Sequence, residues 1–379
     1  MENIYLMQNN DSVCFITRIN KLSPIENADN IELADIKGWT SVVQKNIYKE
    51  NDLVLCITTD AIIPEELATK WNVINYLRKG NRVRTIKLRG VYSECILIPI
   101  FDIEEANQEE YFEGEDMMSD LKIFKYQPPE KNVQLASGKT IKWQENPNFP
   151  IYYKFPNQKN VPNMFNENNE VVITRKIHGT NARYGIVKKQ KLSFIDKIRR
   201  FFGNKLVEWE YVYGSHNVQK MNNSQGFYDT NVWKTIAEKH NIETKLWKLF
   251  NNISCKQGLV IYGEIYGKGI QGEKYSYGLS DIDFAGFDIK IDNEYVNDSL
   301  KNLYFGGAYL ALPQVECLYR GNWSKQAQET YLYETIPGTK IPHEGIVVGC
   351  ITGNRTKISK VINPNYLIYS EKNDVPDGH

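Results

Sequence analysis

One lysine in this chain has the surroundings of a covalent nucleophile. Lys176 follows the β-branched run Val171–Thr174, which has the composition of a strand, and Gly179 comes three residues later. A free lysine is protonated at neutral pH, and burial near another cation such as Arg175 is the usual way to free its lone pair. Gly179 permits close approach of the backbone to a nucleotide. The pattern therefore predicts that Lys176 attacks a nucleotide phosphate.

Two glutamates further along the chain have the chemistry that such an attack needs. Glu264 lies within the apolar strand pattern Val260–Gly267, and Glu344 is the second residue of the pattern His343–Val348. A carboxylate on a strand can hold a ribose hydroxyl or a metal-bound water, and hard oxygen donors suit Mg²⁺ or Mn²⁺. Taken singly, each glutamate also fits a solvent-facing acid on a strand.

An aromatic residue and two lysines complete the candidate site. Phe287, in the strand pattern Asp283–Ile289, has the ring that stacking on a purine requires, although a core position suits it equally well. Lys357 and Lys360 lie in the basic strand pattern 355–362 and have the charge to grip phosphate oxygens. On an ideal strand these two lysines point to opposite faces. We therefore expect Lys360 to be the surer phosphate contact, unless a bulge turns both lysines inward.

The order of these segments from Lys176 to Lys360 resembles that of the nick-sealing RNA ligases, in the superfamily that also holds DNA ligases and mRNA capping enzymes. The lysine motif ends in Thr180-Asn181, which resembles the motif of RNA ligases. DNA ligases usually carry an arginine soon after the glycine. The resemblance implies that Lys176 attacks the α-phosphate of ATP and that AMP then passes to a 5′-phosphate end. A 3′-hydroxyl finally displaces AMP.

The resemblance also assigns roles to individual residues. Glu264 is implied to contact the ribose or a metal-bound water, Phe287 the adenine, and Glu344 the divalent metal. The same family pattern assigns the remaining nucleotide contacts to the residues around the lysine: Thr174, Arg175, Ile177 and Asn181.

Two positions depart from the family pattern. Relatives often carry an acidic residue just before the lysine, where this chain has Arg175, so Thr174 or backbone groups would make the adenine contact instead. His216 lies where relatives often show an arginine. Histidine is mostly uncharged at neutral pH, so a contact of His216 with phosphate or with the 3′ end would be weak.

The elements that must position these residues predict an α+β protein. Short strands with one small helix over residues 1–120 suggest an N-terminal OB-type β-barrel, in which residues 77–84 form a hairpin. Residues 102–120 contain nine acidic residues and no Lys or Arg, and a linker is predicted at 121–150. Residues 151–379 are expected to form a nucleotidyltransferase domain of antiparallel sheets with flanking helices, including one helix over 231–250.

Two basic segments are candidates for contact with nucleic acid. Residues 78–89 contain six cations in twelve positions, and on a hairpin Arg82, Arg84, Lys87 and Arg89 would form a positive stripe along a phosphate backbone. A solvated hairpin is the alternative interpretation. The second basic run, 188–205, has apolar residues at helical spacing, which predicts a helix packed on the catalytic domain rather than on membrane or RNA.

The overall composition excludes several other classes of protein. The 379 residues are 41% apolar and 24% charged with a formal net charge of zero, so any nucleic-acid surface must be local. Six cysteines without a CxxC pair suggest neither a zinc site nor a disulfide framework. No signal peptide and no membrane span is predicted. We therefore expect a cytoplasmic monomer that acts on RNA ends, including nicks in duplexes whose 3′-OH strand is RNA.

Two other classes of function stay open at this point. The first is a different covalent nucleotidyltransferase, either a DNA ligase or a capping guanylyltransferase. Against this alternative, we recognise no OB domain after Lys360, where about twenty residues remain. The second is a non-catalytic nucleic-acid-binding protein with an inactive nucleotide site. The reaction with ATP or GTP distinguishes all three.

Overall fold

The computed structural model describes residues 12–103, 111–126, 146–190, 208–216, 218–220, 231–351, 357–373 and 375. The second basic run and much of the predicted linker fall at 191–207 and 127–145, outside this part of the chain. None of the described helices is long and apolar enough to cross a membrane. All six cysteines are free, and four of them, including Cys56 and Cys350, are buried as the apolar runs around them suggest.

Antiparallel strands are the main regular secondary structure in both halves of the described chain. In the N-terminal half they are β1 Cys14–Arg18, β2 Lys21–Pro24, β3 Ile31–Ile36, β4 Trp39–Gln44, β5 Leu53–Thr58, β6 Ala61–Ile62, β7 Leu77–Arg78, β8 Arg82–Val83, β9 Ile86–Leu88, β10 Val91–Ser93, β11 Cys95–Pro99 and β12 Phe124–Lys125. In the C-terminal half they are β13 Glu170–Lys176, β14 Thr180–Lys188, β15 Trp209–Gly214, β16 Gly258–Gly267, β17 Ile282–Ile291, β18 Glu294–Tyr295, β19 Cys317–Asn322, β20 Gly345–Cys350 and β21 Ile358–Ile362.

The described α-helices are short. They are α1 Glu65–Lys70, α2 Val232–Lys239, α3 Ile242–Asn252, α4 Asp298–Phe305, α5 Lys325–Leu332 and α6 Pro364–Lys372. The helix predicted over 231–250 is in fact two helices. Asn241 adopts a left-handed conformation with φ of 52°, which ends α2 and starts α3. Asparagine tolerates this conformation better than most residues, so the break interrupts an otherwise continuous apolar pattern.

The N-terminal domain is built around one three-stranded sheet of order β1-β5-β11. Its central strand, β5, is apolar at nearly every position because both of its faces are covered. Leu55 and Ile57 pack into one cluster of buried side chains, while Val54 and Cys56 pack into another that includes Trp39 of β4. The predicted hairpin forms, with β7 pairing with β8 across a turn at residues 79–81.

Part of the acidic segment belongs to this domain rather than to a free surface loop. The backbone N–H of Ile16 donates to the carbonyl of Glu115 at 2.9 Å, and that of Met117 donates to Cys14 at 3.0 Å. The side chain of Met117 is buried in the core beneath β1. Strand β12 then pairs with β6 in a separate four-stranded sheet of order β12-β6-β8-β7, so the regular structure of the N-terminal half extends as far as Lys125. Residues 104–110 of the acidic run lie outside the described chain.

The C-terminal domain contains two antiparallel sheets whose outer faces are covered by helices. The first has the order β19-β13-β20-β21, and α5 packs on its outer side. The second has the order β15-β14-β16-β17-β18, and α2 and α3 pack on its outer side. Only residues 177–179 join β13 of the first sheet to β14 of the second. The predicted lysine motif is therefore the point at which the chain crosses between the sheets.

Candidate active site

Lys176 and Glu344 are brought together by the pairing of β13 with β20. In this register Lys176 lies opposite Gly345, so the residue before Gly345 falls beside the lysine. The Nζ atom of Lys176 donates to Oε1 of Glu344 at 2.6 Å. The lysine side chain is 18% exposed and that of Glu344 only 1%. The amine therefore reaches the cleft between the two sheets, whereas the carboxylate of Glu344 is shielded from water. A shielded charge pair of this kind interacts strongly, because little water competes for either charge.

Glu264 approaches the same lysine from the second sheet. A Cβ atom on Gly179 would contact the carbonyl oxygen of Ile265 and would lie 2.8 Å from Cγ of Glu264. Only glycine fits at this crossing, because the backbone at residue 179 passes so close to β16 that a side chain has no space. The pKa of Glu264 is raised to about 8, chiefly by burial; the positive charge of Lys176 opposes this rise, and the negative charge of Glu344 contributes to it.

The first sheet presents a row of side chains to the cleft beside the lysine. Thr174 pairs with Val347 of β20, and Val347 pairs with Lys360 of β21, so the three residues share one face with Lys176. Two strand spacings put the Cα atoms of Thr174 and Lys360 about 10 Å apart. Lys360 therefore lies on the face of the first sheet that carries Lys176. Val347 was not identified from the sequence, although it lies two residues after Gly345, and strand alternation puts these two residues on one face.

Lys357 lies on the other side of the same sheet. It is exposed and precedes β21. Burial raises the pKa of the Cys350 thiol, and the nearby charge of Lys357 opposes this rise. Cys350 belongs to the apolar cluster under α5, away from the cleft. No bulge separates the described residues of β20 and β21, so the strand alternation keeps Lys357 and Lys360 on opposite faces.

Arg175 also faces away from Lys176. Its guanidinium forms ion pairs with Glu334 and, at 3.4 Å, with Glu316, and it donates to the carbonyl of Tyr331 at 3.2 Å. The side chain is buried between β13 and the end of α5. Its predicted contact with the nucleotide could therefore involve only the backbone. Because consecutive strand residues alternate faces, a side chain next to Lys176 points away from the cleft.

The second sheet brings Asn181 and Phe287 to its inner face. Asn181 pairs with Glu264, and its Oδ1 atom is buried without a hydrogen-bond partner among the described residues. Phe287 is the extra residue of a bulge, since Tyr262 pairs with Asp288 while Gly263 pairs with Gly286. Bulges redirect side chains, and the ring of Phe287 packs 5.0 Å from that of Tyr152. Ile177, the residue after Lys176, is half-buried in the crossing.

His216 lies at the far end of this inner face, after β15. Burial and the nearby charges of Lys154 and Arg183 lower its pKa, so the ring is neutral at pH 7. Arg183 was not identified from the sequence. It is fully buried on β14 and donates to the carbonyls of Ser215 at 2.8 Å and Phe149 at 2.6 Å. An arginine within an apolar strand pattern was the available signal for a buried structural cation.

The predicted basic stripe of the N-terminal domain is split by the structure. Arg82 is buried, pairs with Asp60, and stacks 3.9 Å from the ring of Tyr126. Arg84 forms an ion pair of 2.7 Å with Glu371 of α6 in the C-terminal domain. Only Lys87 and Arg89 of the four named cations are exposed. The hairpin therefore presents a smaller positive surface than the sequence predicted.

The two cleft carboxylates fit a hard divalent cation. Within the described ranges no group of three or more histidine, cysteine or acidic side chains could enclose a metal by itself. Glu264 and Glu344 are close enough for each to raise the energy of the other's charge, and a cation between them would relieve this repulsion. Magnesium and manganese commonly take one or two carboxylates and complete their shell with phosphate oxygens and water.

Comparisons with known proteins identify the family and the fold of the chain. Residues 169–362 match the RNA ligase family, and residues 13–100 match an OB-fold domain. No curated protein matches the chain. Among solved structures, an apo mutant of Naegleria gruberi RNA ligase aligns over 95% of this chain and 98% of its own, with 19% identity and a TM-score of 0.71. The same ligase with pyrophosphate aligns over 95% and 99%, with 20% identity and a TM-score of 0.71.

A lysine-to-alanine mutant of that ligase, solved with ATP and Mn, aligns equally well, with 19% identity, a TM-score of 0.71 and coverage of 95% and 99%. The shared fold confirms the predicted class, an OB-fold domain followed by a sheet-rich α+β domain.

Proposed function

The chain belongs to the RNA ligase family, and from this premise we propose that it is an ATP-dependent RNA ligase with a covalent lysyl-AMP intermediate on Lys176. The observation that carries the proposal is the position of this amine. Its Nζ lies 2.6 Å from Glu344 and within electrostatic reach of Glu264, on the cleft face that also holds Lys360.

In the first step the unprotonated Nζ of Lys176 attacks the α-phosphorus of ATP. A nitrogen–phosphorus bond forms, the bond from phosphorus to the bridging oxygen breaks, and pyrophosphate leaves. Glu344 orients the amine through its hydrogen bond, and the charge of Lys360 stabilises the phosphate oxygens as negative charge develops. Before this attack, the ammonium form of Lys176 must lose a proton to solvent, because only the neutral amine has the lone pair that forms the new bond.

The cleft also offers a place for the base. Phe287 on the second sheet and Val347 on the first lie on the inner faces, and an adenine between them would pack on apolar surface on both sides. Thr174 and Asn181 supply polar groups at the two edges. Bound between Glu264 and Glu344, Mg²⁺ or Mn²⁺ would neutralise phosphate charge.

The later steps transfer AMP to RNA. An oxygen of a 5′-phosphate end attacks the phosphorus of lysyl-AMP, which breaks the nitrogen–phosphorus bond and releases Lys176. A 3′-hydroxyl then attacks the 5′-phosphorus, forms the phosphodiester and releases AMP. His216 and the exposed Lys87 and Arg89 are the proposed contacts of the nucleic acid, which we infer to be a nicked duplex with RNA on the 3′-OH side.

Labelling with α-labelled nucleotides tests the first step. We expect ATP with Mn²⁺ or Mg²⁺ to label the protein, Lys176→Ala to abolish labelling, and Lys357→Ala, an exposed lysine on the opposite face, to preserve it. Labelling by GTP alone would indicate a capping enzyme instead. If neither ATP nor GTP labels the protein, a non-catalytic binding protein would be favoured.

Sealing of synthetic nicks tests the substrate. We expect joining when the strand that ends in the 3′-hydroxyl is RNA and much slower joining when it is DNA. Equal rates on the two nicks would contradict the RNA preference while leaving the ligase reaction intact.

A further inference from the structure

Helix α6 and its N-cap contact two segments beside Lys176: the lysine motif at His178 and the segment that contains His343 and Glu344. Asn363, at its N-cap, is fully buried. Its side-chain Nδ2 donates to the carbonyl of His343 at 3.1 Å, and its backbone N–H donates to the carbonyl of Glu344 at 2.9 Å. These two bonds fix the backbone that carries the glutamate partner of Lys176. The position of Glu344 therefore depends on where α6 begins.

The same helix contacts the lysine motif through a histidine. The hydroxyl of Tyr366 lies 2.9 Å from Nδ1 of His178, and both side chains are buried. The backbone N–H of His178 donates to the hydroxyl of Tyr277 at 2.7 Å, and the ring of Tyr275 packs against the imidazole at 4.9 Å. His178 is thus held on several sides, two residues after Lys176.

The N-terminal domain contacts α6 directly. The hydroxyl of Tyr92 donates to Oδ1 of Asn365 at 2.5 Å, and Arg84 pairs with Glu371 at 2.7 Å. Asn365 and Glu371 lie near the two ends of the helix, so these contacts constrain both its position and its tilt. The contacts join residues separated by 273 and 287 positions in the chain.

We propose that α6 is a positioning element through which the N-terminal domain sets the geometry of Lys176 and Glu344. Tyr366 is the positioning residue toward the lysine motif, and Tyr92 is the corresponding residue of the N-terminal domain. The inference rests on the proposed function and extends it. The N-terminal domain supports formation of lysyl-AMP itself, in addition to any contact that it makes with nucleic acid.

Hydroxyl deletions test this inference with matched controls. Tyr366→Phe and Tyr92→Phe each remove one hydrogen bond and keep the ring. Tyr369→Phe on the same helix and Tyr76→Phe in the N-terminal domain remove hydroxyls that make no hydrogen bond to the described part of the chain. All four variants are compared with the unmodified full-length protein by thermal unfolding, so that a general loss of stability is recognised.

The first readout is amide hydrogen exchange of the protein without nucleotide, in peptides that cover residues 171–182 and 342–350. We expect Tyr366→Phe and Tyr92→Phe to speed exchange in these peptides about tenfold, the factor that 1.4 kcal/mol of lost stabilisation produces. The two control variants should leave exchange unchanged. Unchanged exchange in Tyr92→Phe would overturn the inference, whether or not the protein reacts with ATP.

The second readout is the single-turnover rate of labelling by α-labelled ATP. A positioning role predicts about tenfold slower labelling at saturating ATP, with the half-saturating ATP concentration unchanged. Because both hydroxyls act through one helix, the double variant should lose less than the product of the two single effects. Multiplicative effects would overturn the coupling. Absence of labelling in the unmodified protein would refute the proposed function alone, and the exchange result would still decide the role of α6.

Discussion

Replacement of Gly179 by alanine is the most direct test of the crossing between the two sheets. The added Cβ would contact the carbonyl oxygen of Ile265 and would lie 2.8 Å from Cγ of Glu264. Ordinary van der Waals contacts at these positions begin at 3.4 Å. The neighbours on β16 therefore have to move by about 0.6 Å or more relative to the lysine motif.

The expected effect follows from the tolerance of catalytic geometry. Reacting groups must be held to within about 0.5 Å, and a misplacement of about 1 Å can cost about 100-fold in rate. A displacement between these values predicts labelling of Gly179→Ala by ATP that is 10- to 100-fold slower, by order of magnitude. Overpacking of this kind also destabilises the fold by about 1–3 kcal/mol.

The assay is single-turnover formation of the covalent AMP adduct, with thermal unfolding measured in parallel. Gly307→Ala is the matched control, because the structure leaves open space around its Cβ position. We expect the control to react and unfold like the unmodified protein. Normal labelling by Gly179→Ala would refute the close approach of Gly179 to Glu264, and with it the geometry assigned to the cleft.

Three further predictions concern single side chains. Lys360→Ala should slow adduct formation at least tenfold, whereas Lys357→Ala should leave it within twofold, and equal effects in the labelling assay would contradict their placement on opposite faces. Arg82→Ala removes a buried ion pair and a ring contact, so urea unfolding should show a loss of about 3–5 kcal/mol, and a loss below about 1 kcal/mol would mean that the pair is solvated. The pKa of Glu264, raised to about 8 in the folded protein, means that the folded state binds the extra proton. The free energy of unfolding without metal should therefore fall as pH rises from about 4.5 to 8, and Glu264→Gln should flatten this fall; identical profiles would show that the carboxyl is not shielded.

The strands around the site were predictable because alternation and β-branched composition are properties of residues that are close together in the sequence. The predicted strand run Val171–Thr174 lies within β13, and the pattern Val260–Gly267 lies within β16, which begins two residues earlier. The same alternation separated Lys357 from Lys360 before the structure was known. It also places Arg175 on the face opposite Lys176, although the family pattern assigned both residues to the nucleotide.

The remaining features depend on partners that are distant in the sequence. A basic hairpin gives no sign that Arg84 pairs with a helix 287 residues away, or that Arg82 is buried beside Asp60. Helix α6 was likewise not predicted, since its apolar pattern is weak and its role comes from Asn363 and Tyr366 at the cleft. Such polar contacts have no periodic signal, and only the folded chain brings them together.

Mass-spectrometric mapping of the adduct tests the central claim most directly. The full-length protein is incubated with ATP and Mn²⁺, digested, and searched for a peptide that carries one AMP group. The account predicts that the modification lies on Lys176 and disappears in Lys176→Ala. An adduct on any other residue, or one that persists at the same yield in that variant, would contradict it.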